Sequence, residues 1–514
     1  MVSLAFEDVL ALSEHHNLIP VSKSILADTE TPIRLFHHMH EEEYCFLLES
    51  VEGGINWARY SFIGTKPFLR VQGKNGVLEV IEGDKTHRLK EKPLAALKEM
   101  LARYRSPDLP DLPRFTGGAV GFFGYDLVQY YEQLPKHRED DLLMNDIQFM
   151  FCDQVVVFDH LKQQIKVIAN VHVPEGASME QVRKAYDETL EEIDQALHQL
   201  QQPVRVDSMN RNAQQEVDLG ELASNMSKDQ YLNNVIQAKE YIRAGDIFQV
   251  VLSQRFEMDT TASPLQVYRV LRTVNPSPYM YYLKMGDEVL VGSSPELLVR
   301  VEDHQVQTRP IAGTRPRGQT PEEDTALEIE LLADEKELSE HLMLVDLGRN
   351  DIGRVSKYGT VSCDTYMEVE RYSHVMHIVS NVSGELREDK DFFDAFISCL
   401  PAGTVSGAPK IRAMEIIAEL EEHARGAYAG AIGYLGFNGN LDTCITIRTI
   451  IFKHGKAYVQ AGAGIVWDSV PENEYQETVN KAKALLTSIR LAEQWFQTAP
   501  ETPGEAVTVN QDYH

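Results

Sequence analysis

Strand-like runs joined by tight-turn signals dominate this 514-residue chain. Asn75-Gly76, Asn438-Gly439 and His454-Gly455 each separate two apolar runs. Such pairs adopt the backbone of short hairpin turns, which join antiparallel strands. Helix patterns stand apart from these runs, for example at 93–104 and after Ser227. Ser227, three residues before Gln230, is predicted to be the N-cap of its helix, which is expected to stop near Gly245. Antiparallel sheets with segregated helices indicate the α+β class.

The composition is that of a soluble globular protein, with 43% hydrophobic and 25% charged residues. Lys and Arg total 49 against 78 Asp and Glu, which gives a net charge of −29. A chain this acidic repels nucleic acid and anionic membranes, so neither is expected as a partner. An anionic substrate would need a local source of positive charge or hydrogen-bond donors, such as a metal ion, an arginine or backbone N–H groups.

The cysteines are odd in number, scattered and without a C-x-x-C motif, which argues against a disulfide framework or a zinc site. The first residues lack the basic and apolar regions of a signal peptide, and no run is long enough to span a bilayer. These features predict a cytoplasmic protein. The cysteines are Cys45, Cys152, Cys363, Cys399 and Cys444.

The length exceeds what one simple core accommodates and predicts two domains. A polar stretch with little periodicity interrupts the chain after the helical pattern at 176–200. We therefore predict a first domain at 1–200, a linker at 201–224, a second domain at 225–494 and a polar C-terminal tail at 495–514.

Two pairs of glutamates share one spacing. Glu337 and Glu340 lie three residues apart in a helix-like stretch at 333–345, and Glu474 and Glu477 repeat the spacing downstream. Residues at i and i+3 share a helix face. Each pair is compatible with an ordinary solvated acidic face. Alternatively, the two pairs meet across a cleft and hold a hard divalent cation through oxygen.

Four strings in the second half identify a family: PIAGTRPRG (310–318), LPAGTVSGAPK (400–410), GAYAGAIGY (426–434) and QAGAGIV (460–466). Together with the stretches ELSEH and ENEYQE, they resemble the chorismate-utilising enzymes. That family includes anthranilate synthase large subunits and the aminodeoxychorismate, isochorismate and salicylate synthases. The resemblance covers about residues 225–492 and extends weakly into the first half through LLES and ARYSFIG. It implies a large αββα sandwich with the active site in the cleft between the sheets.

The resemblance also implies how the dianion chorismate is bound. Magnesium would be held by Glu340, Glu477 and the ring carboxylate, with Glu337 and Glu474 in support. Arg448, Tyr428 and the backbone of a Gly462-Ala463-Gly464 turn would hold the second carboxylate. Thr404, at a helix N-terminus, and the segment Ala312, Gly313 and Thr314 would contact the substrate. Without the resemblance, Arg448 is compatible with a strand-end surface arginine and Thr404 with a plain N-cap.

A few positions distinguish the possible reactions. Ala312 stands where aminodeoxychorismate synthases usually carry a nucleophilic lysine. Gln249 replaces the lysine base of the water-adding enzymes, and ammonia needs no such base. His377 matches the histidine used when the enolpyruvyl group is eliminated. These residues favour anthranilate synthesis, with an aminodeoxychorismate synthase of folate biosynthesis, or a non-catalytic amino-acid sensor on this scaffold, as the alternatives.

The expected reaction begins with attack of ammonia on ring carbon 2, while Glu296 protonates the departing hydroxyl group. Loss of pyruvate then gives anthranilate, with His377 assisting proton movement. Without the resemblance, Glu296 is compatible with an ordinary turn residue after Pro295. His374 and His377 would form a metal pair in an alternative interpretation, but strand residues three apart point to opposite faces.

The first half is expected to regulate the second. LLES resembles a tryptophan feedback site, in which Glu49 would pair with the amino group of the ligand; ordinary core packing is the alternative. No cysteine lies in a glutamine amidotransferase setting, so a separate glutaminase subunit, in a heterotetramer, would supply ammonia. The predicted tryptophan-binding residues are Leu48, Glu49, Ser50, Arg59, Pro278, Tyr279 and Met280.

Overall fold

The computed structural model describes residues 2–50, 59–210, 217–372 and 375–496. Its helices are α1 (Phe6–Leu12), α2 (Pro32–Phe36), α3 (Pro93–Leu101), α4 (Met179–Leu200), α5 (Lys228–Ala244), α6 (Pro264–Val274), α7 (Pro321–Ala333), α8 (Glu335–Gly353), α9 (Phe392–Cys399), α10 (Lys410–Leu420) and α11 (Pro471–Trp495). Short 3-10 turns cover Tyr125–Tyr130 and Gly403–Val405.

The strands, in chain order, are β1 (Leu18–Leu26), β2 (Tyr44–Glu49), β3 (Tyr60–Thr65), β4 (Leu69–Lys74), β5 (Val77–Glu82), β6 (Lys85–Leu89), β7 (Gly118–Phe123), β8 (Ile147–Cys152), β9 (Gln154–Asp159), β10 (Gln164–His172), β11 (Ala223–Ser224) and β12 (Gln249–Asp259). They continue with β13 (Tyr279–Met285), β14 (Glu288–Ser294), β15 (Leu297–Glu302), β16 (Gln305–Thr308), β17 (Ile311–Pro316), β18 (Ser362–Arg371), β19 (Val375–Glu385), β20 (Gly407–Ala408), β21 (Ala431–Gly436), β22 (Leu441–Ile445), β23 (Thr449–Lys453) and β24 (Lys456–Ile465).

Two twelve-stranded sheets organise these elements. The first runs β1-β10-β9-β3-β2-β13-β14-β23-β24-β12-β11, with β20 beside β12. The second runs β17-β19-β16-β15-β22-β21-β7-β8-β4-β5-β6, with β18 beside β19. Neighbouring strands pair antiparallel, for example β2 with β13 and β7 with β21.

The sheets pack face to face through an apolar layer that includes Phe46 and Tyr281 from the first sheet and Phe122 and Ile432 from the second. Helices α4, α6 and α11 cover the outer face of the first sheet, while α3 and α9 cover that of the second. This four-layer arrangement confirms the predicted α+β class and αββα sandwich.

Both sheets combine strands from either side of the 201–224 segment, because β2 pairs with β13 and β7 with β21. The sheets therefore do not follow the division into a first and a second domain, whose boundaries stay a prediction. Residues 211–216 of the predicted linker and 497–514 of the predicted tail lie outside the described residues, as does His374.

Local signals correctly placed three hairpin turns and both ends of α5. Asn75, Gly439 and His454 have φ values of 52°, 89° and 53° in their hairpins. The Ser227 hydroxyl accepts a hydrogen bond from the Gln230 N–H (3.2 Å) and caps α5, which ends at Gly245 with φ of 83°.

The helix expected at 333–345 is α8, which begins after its N-cap Asp334 and extends to Gly353. Helix α7, directly before it, was not predicted. Within the part of the chain that the structure describes, no helix combines the length and apolarity needed to cross a bilayer.

Candidate active site

Glu296 and Thr404 lie in contact at the candidate active site. Glu296 lies between β14 and β15, and Thr404 belongs to the 3-10 turn Gly403–Val405. The Thr404 hydroxyl donates a hydrogen bond to Glu296 Oε2 over 2.8 Å. Burial raises the pKa of Glu296, partly offset by this hydrogen bond and by the positive charges of Lys481 and Arg448. A raised pKa suits a carboxyl group to proton donation.

Thr404 does not stand at the N-terminus of a following helix, as the sequence suggested. The next helix, α10, begins at Lys410 and has Pro409 as its N-cap. The 3-10 turn itself is capped by Ala402. The expected position of Thr404 at the N-terminus of that helix, and its alternative as a plain N-cap, are therefore both wrong, while its contact with the substrate stays a prediction. The reason is that the backbone of residues 407–408 forms the short strand β20 against β12 before the helix begins.

Arg448 and Tyr428 lie beside Glu296. Arg448 precedes β23 with a left-handed φ of 51°. Burial lowers the pKa of its guanidinium group, while the nearby Glu296, Tyr428 and Glu477 act in the opposite direction. Burial likewise raises the pKa of Tyr428. The structure therefore brings together the two side chains predicted to hold a carboxylate.

The segment Gly462-Ala463-Gly464 is part of strand β24, so the predicted turn there is wrong. Its residues pair with β12, with Gly464 opposite Val251. A Cβ atom on Gly462 would lie 2.8 Å from the Tyr428 hydroxyl, and one on Gly464 would lie 2.6 Å from Gln249 Nε2. The glycines are needed because side chains approach the strand closely.

His377 lies on β19 next to the PIAGT segment. Its Nδ1 is 3.0 Å from the Gly313 carbonyl oxygen and 3.1 Å from the Thr314 hydroxyl. Because a carbonyl oxygen only accepts, the contact with Gly313 assigns the proton to Nδ1 and leaves Nε2 as the acceptor. Burial lowers the pKa of His377, so the ring is neutral near pH 7. Gly313 has φ of 69° at a bulge between Ala312 and Thr314.

The four glutamates of the predicted metal site lie on α8 and α11. Burial raises the pKa of Glu340, and the negative charges of Glu337 and Glu477 raise it further. The pKa of Glu474 is raised by burial and by Glu477. The two helices thus present carboxylates within electrostatic reach of one another.

This donor set fits a hard divalent cation. Carboxylates that raise one another's pKa gain from a positive ion placed between them, and carboxylate oxygen suits magnesium. Among the described residues, no three acidic, histidine or cysteine side chains converge into a complete metal site. A cation held by two carboxylates would complete its shell with water and a substrate oxygen, as magnesium commonly does.

Two cations near these carboxylates were not predicted. Lys481 Nζ pairs with Glu477 Oε1 at 2.7 Å and donates to the Gly462 carbonyl oxygen at 2.9 Å. Arg315 donates to the N-cap Asp334 at 2.8 Å and lies 3.7 Å from Glu337. The i,i+4 spacing of Glu477 and Lys481 was the available signal for the first. Nothing local in the sequence marks the second.

A separate cavity lies between the sheets and is open at its mouth. It is lined by six of the seven predicted tryptophan-binding residues. Arg59 does not line it, and pairs instead with Asp159 at 3.1 Å. The Glu49 carboxylate accepts hydrogen bonds from Tyr268 (2.5 Å) and Arg272 (3.1 Å). The lining residues are Leu48, Glu49, Ser50, Tyr60, Phe62, Arg114, Pro278, Tyr279, Met280, Tyr281, Arg300, Ile432, Gly433, Tyr434, Asp442 and Cys444.

Comparisons with known proteins agree with this geometry. A family model described as chorismate binding enzyme matches residues 44–487. Anthranilate synthase component 1 of Acetivibrio thermocellus is 56% identical over 95% of this chain and 98% of that protein. The corresponding protein of Aquifex aeolicus is 47% identical over 96% of this chain and 99% of that protein.

Solved structures show the same architecture. The crystal structure of anthranilate synthase component I from Streptococcus pneumoniae TIGR4 matches with a TM-score of 0.73 and 41% identity, over 90% of this chain and 99% of that one. The menaquinone-specific isochorismate synthase of Escherichia coli shares the fold at a TM-score of 0.69 and 18% identity, over 94% of this chain and 99% of that one. The chain therefore belongs to the chorismate-binding enzymes and, within them, to the anthranilate synthase component 1 family.

Proposed function

We propose that the protein converts chorismate and ammonia into anthranilate, pyruvate and water, the first committed step of tryptophan biosynthesis. The observation that carries this proposal is the hydrogen-bonded pair of Glu296 and Thr404 beside Arg448, in a chain whose curated relatives are anthranilate synthases. An acid of raised pKa next to a buried cation suits the loss of a hydroxyl group from an anionic substrate.

In the first step, ammonia forms a bond to ring carbon 2 and the hydroxyl group on carbon 4 leaves as water. Glu296 supplies the proton for that departure, and Thr404 holds the carboxyl group by its 2.8 Å hydrogen bond. Arg448 and Tyr428 bind the enolpyruvyl carboxylate. Both side chains suit this role because a guanidinium group and a phenol donate hydrogen bonds in fixed directions to carboxylate oxygens.

In the second step, the ring loses a proton from carbon 2, the enolpyruvyl C–O bond breaks, and pyruvate leaves as the ring becomes aromatic. His377 serves as the base. Its Nδ1–H donates to the Gly313 carbonyl oxygen, which directs the free lone pair of Nε2 away from β17.

Two positions support amination over the alternative reactions. Ala312 offers no nucleophile that would attach to the ring. Gln249, whose side chain lies next to Gly464, is an amide and offers no base that would activate water. Ammonia carries its own lone pair, so neither group is needed.

Glu340 and Glu477 are proposed to hold magnesium, with Glu337 and Glu474 in support. When bound, the ion neutralises and orients the ring carboxylate of chorismate. Glu340 and Glu474 support the proposal, since burial and the negative charge of neighbouring glutamates raise their pKa values, and a cation would offset that charge.

Tryptophan is proposed to inhibit by occupying the cavity between the sheets. Met280, Tyr279 and Pro278 offer apolar surface for an indole ring, while Glu49 and Ser50 lie at its wall. Because Glu49 already pairs with Arg272, an amino group would share that carboxylate rather than find it free.

Ammonia is proposed to come from a separate glutamine amidotransferase subunit, in a heterotetramer. Burial raises the pKa of Cys45 and of Cys399 to about 12 and raises those of the other three thiols, so none of the five is an activated nucleophile. All five are free thiols, which supports a cytoplasmic location.

The purified chain, mixed with chorismate, magnesium and ammonium, tests the main proposal through the fluorescence of anthranilate and the release of pyruvate. A stable amino-chorismate product without pyruvate would point to an aminodeoxychorismate synthase instead. Glu296→Gln is expected to lower kcat by at least about 100-fold, since general acid catalysis contributes factors of this size. Glu385→Gln, a surface carboxylate paired with Lys357, is the matched control and should leave kcat unchanged.

The regulatory proposal is tested with the same assay. Saturating tryptophan should suppress activity, and Ser50→Ala should weaken its binding. Full activity at saturating tryptophan, or unchanged tryptophan binding in the variant, would contradict the proposal that this cavity binds tryptophan.

A further inference from the structure

Arg425 is among the largest side chains that are completely enclosed, with 1% of the residue exposed. It forms a two-pronged ion pair with Glu421, with Nε 2.8 Å from Oε2 and Nη2 2.7 Å from Oε1. A buried ion pair contributes little to stability compared with apolar residues of similar size. The geometry that this pair imposes is therefore the better guide to its role.

The guanidinium group contacts three segments that carry site residues. Nη1 donates to the carbonyl oxygen of Val405, which directly follows Thr404, over 2.7 Å. Nη2 donates to the carbonyl oxygen of Val251, the strand partner of Gly464, over 2.8 Å. The Tyr428 ring stands 5.6 Å from the guanidinium carbon, within cation–π range.

Glu421 extends the same connection. Its Oε1 accepts hydrogen bonds from the backbone N–H of Ser253 (2.7 Å) and from the Ser253 hydroxyl (3.0 Å). Ser253 pairs with Gly462 across the sheet. The ion pair thus holds three parts of the site in fixed relative positions: strand β12, which pairs with the glycines of β24, the turn that carries Thr404, and the ring of Tyr428.

We infer that Arg425 is a positioning residue for chorismate, acting through Tyr428 on the substrate carboxylate and through Thr404 on the general acid Glu296. This inference rests on the proposed function. The role requires arginine, because the planar guanidinium group can donate to a carboxylate and two carbonyl oxygens at once, whereas the compact ammonium group of lysine cannot reach all of them.

The test replaces both charges by apolar groups of similar size, Glu421→Leu with Arg425→Met, so that no unpaired charge is left buried. The matched control is Glu288→Leu with Lys453→Met, which removes another buried ion pair of the first sheet that contacts none of these site residues. The assay is ammonium-dependent anthranilate formation, with kcat and the KM for chorismate determined separately and folding followed by thermal unfolding.

We expect the Glu421/Arg425 variant to unfold cooperatively, to raise the KM for chorismate at least tenfold and to lower kcat, while the control pair keeps both constants. A purely structural role would reduce the fraction of active enzyme, which lowers the apparent kcat and leaves KM unchanged. An unchanged KM in the folded variant would therefore overturn the inference.

Arg425→Lys is the second variant, because it keeps the charge of the pair. A raised KM in folded Arg425→Lys supports the inference, and wild-type constants in it contradict it. If both variants fail to fold, the residue is structural and the inference is wrong. Wild-type protein that makes no anthranilate would instead refute the proposed function on which the inference depends.

Discussion

Gly462→Ala is a small change with a calculable effect on the substrate site. Gly462 lies in extended strand backbone, so alanine is permitted by conformation and only space is at issue. The added Cβ would meet the Tyr428 hydroxyl at 2.8 Å, Val251 Cγ1 at 3.0 Å and the Leu252 carbonyl oxygen at 3.1 Å. The Tyr428 hydroxyl is the nearest of the three atoms and must move farthest, while Val251 and Leu252 need shift by only a few tenths of an ångström.

The size of the movement follows from contact distances. An unstrained contact needs about 3.5 Å, so the Tyr428 hydroxyl must retreat by about 0.7 Å. A misplacement near 1 Å costs up to about 100-fold in rate. We therefore expect kcat/KM for chorismate to fall by roughly 10-fold to 100-fold, which corresponds to about 1.4 to 2.7 kcal/mol.

A double-mutant cycle isolates the cause. In a Tyr428→Phe background the hydroxyl group is absent, so the added methyl group of Gly462→Ala should cost much less than in the wild type. Gly353→Ala, where a Cβ meets nothing within 4 Å, is the control and should leave kcat/KM unchanged. Equal losses from Gly462→Ala in both backgrounds, or no loss in either, would refute the reasoning.

Three further predictions follow from other parts of the structure. Thr404→Val removes the hydrogen bond that lowers the pKa of Glu296, so that pKa should rise. Because Glu296 is proposed to act in its protonated form, the high-pH limb of the kcat profile should move to higher pH, and a limb that stays in place would contradict this. Ser178→Ala removes the N-cap of α4 and should cost about 1 kcal/mol of unfolding free energy in urea titrations. Gly121→Ala places a Cβ 2.0 Å from the Gln148 carbonyl oxygen of the neighbouring strand, so it should destabilise by more than about 4 kcal/mol or prevent folding, as judged by soluble yield and the urea midpoint.

The features predicted correctly from the sequence are those decided by a few adjacent residues. The cap at Ser227 and the hairpins at Asn75-Gly76 and Asn438-Gly439 depend on local backbone chemistry. Helix α7 was missed because it buries only Asp324 and Leu331 and so shows little hydrophobic periodicity. Its start is marked by Thr320, whose hydroxyl accepts a hydrogen bond from the Glu323 N–H, and Asp324 pairs with Arg317 outside the helix.

In the candidate site, too, some features follow from nearby residues in the sequence and others depend on tertiary packing. Spacing predicted that Glu337 and Glu340 share a helix face, but only tertiary packing determines that α11 approaches them. Glycines in QAGAGIV suggested a turn, yet pairing with β12 makes the segment a strand. Arg425 gave no signal in the sequence beyond its i,i+4 spacing from Glu421, because its burial depends on three distant segments.

The charge distribution of the cleft explains how a chain of net charge −29 can hold a dianion. At one end, Arg448 makes no ion pair with any carboxylate in the described part of the chain, and burial lowers its pKa, so its positive charge is incompletely compensated. At the other end, burial raises the pKa values of Glu340 and Glu474, and the negative charge of neighbouring glutamates raises them further. In the proposed binding mode, one carboxylate of chorismate would bind directly to Arg448, and the other would bind through the magnesium held by the glutamates. Because the two ends differ in this way, the two carboxylates of chorismate would not be interchangeable, and we expect the charges to favour one orientation of the substrate.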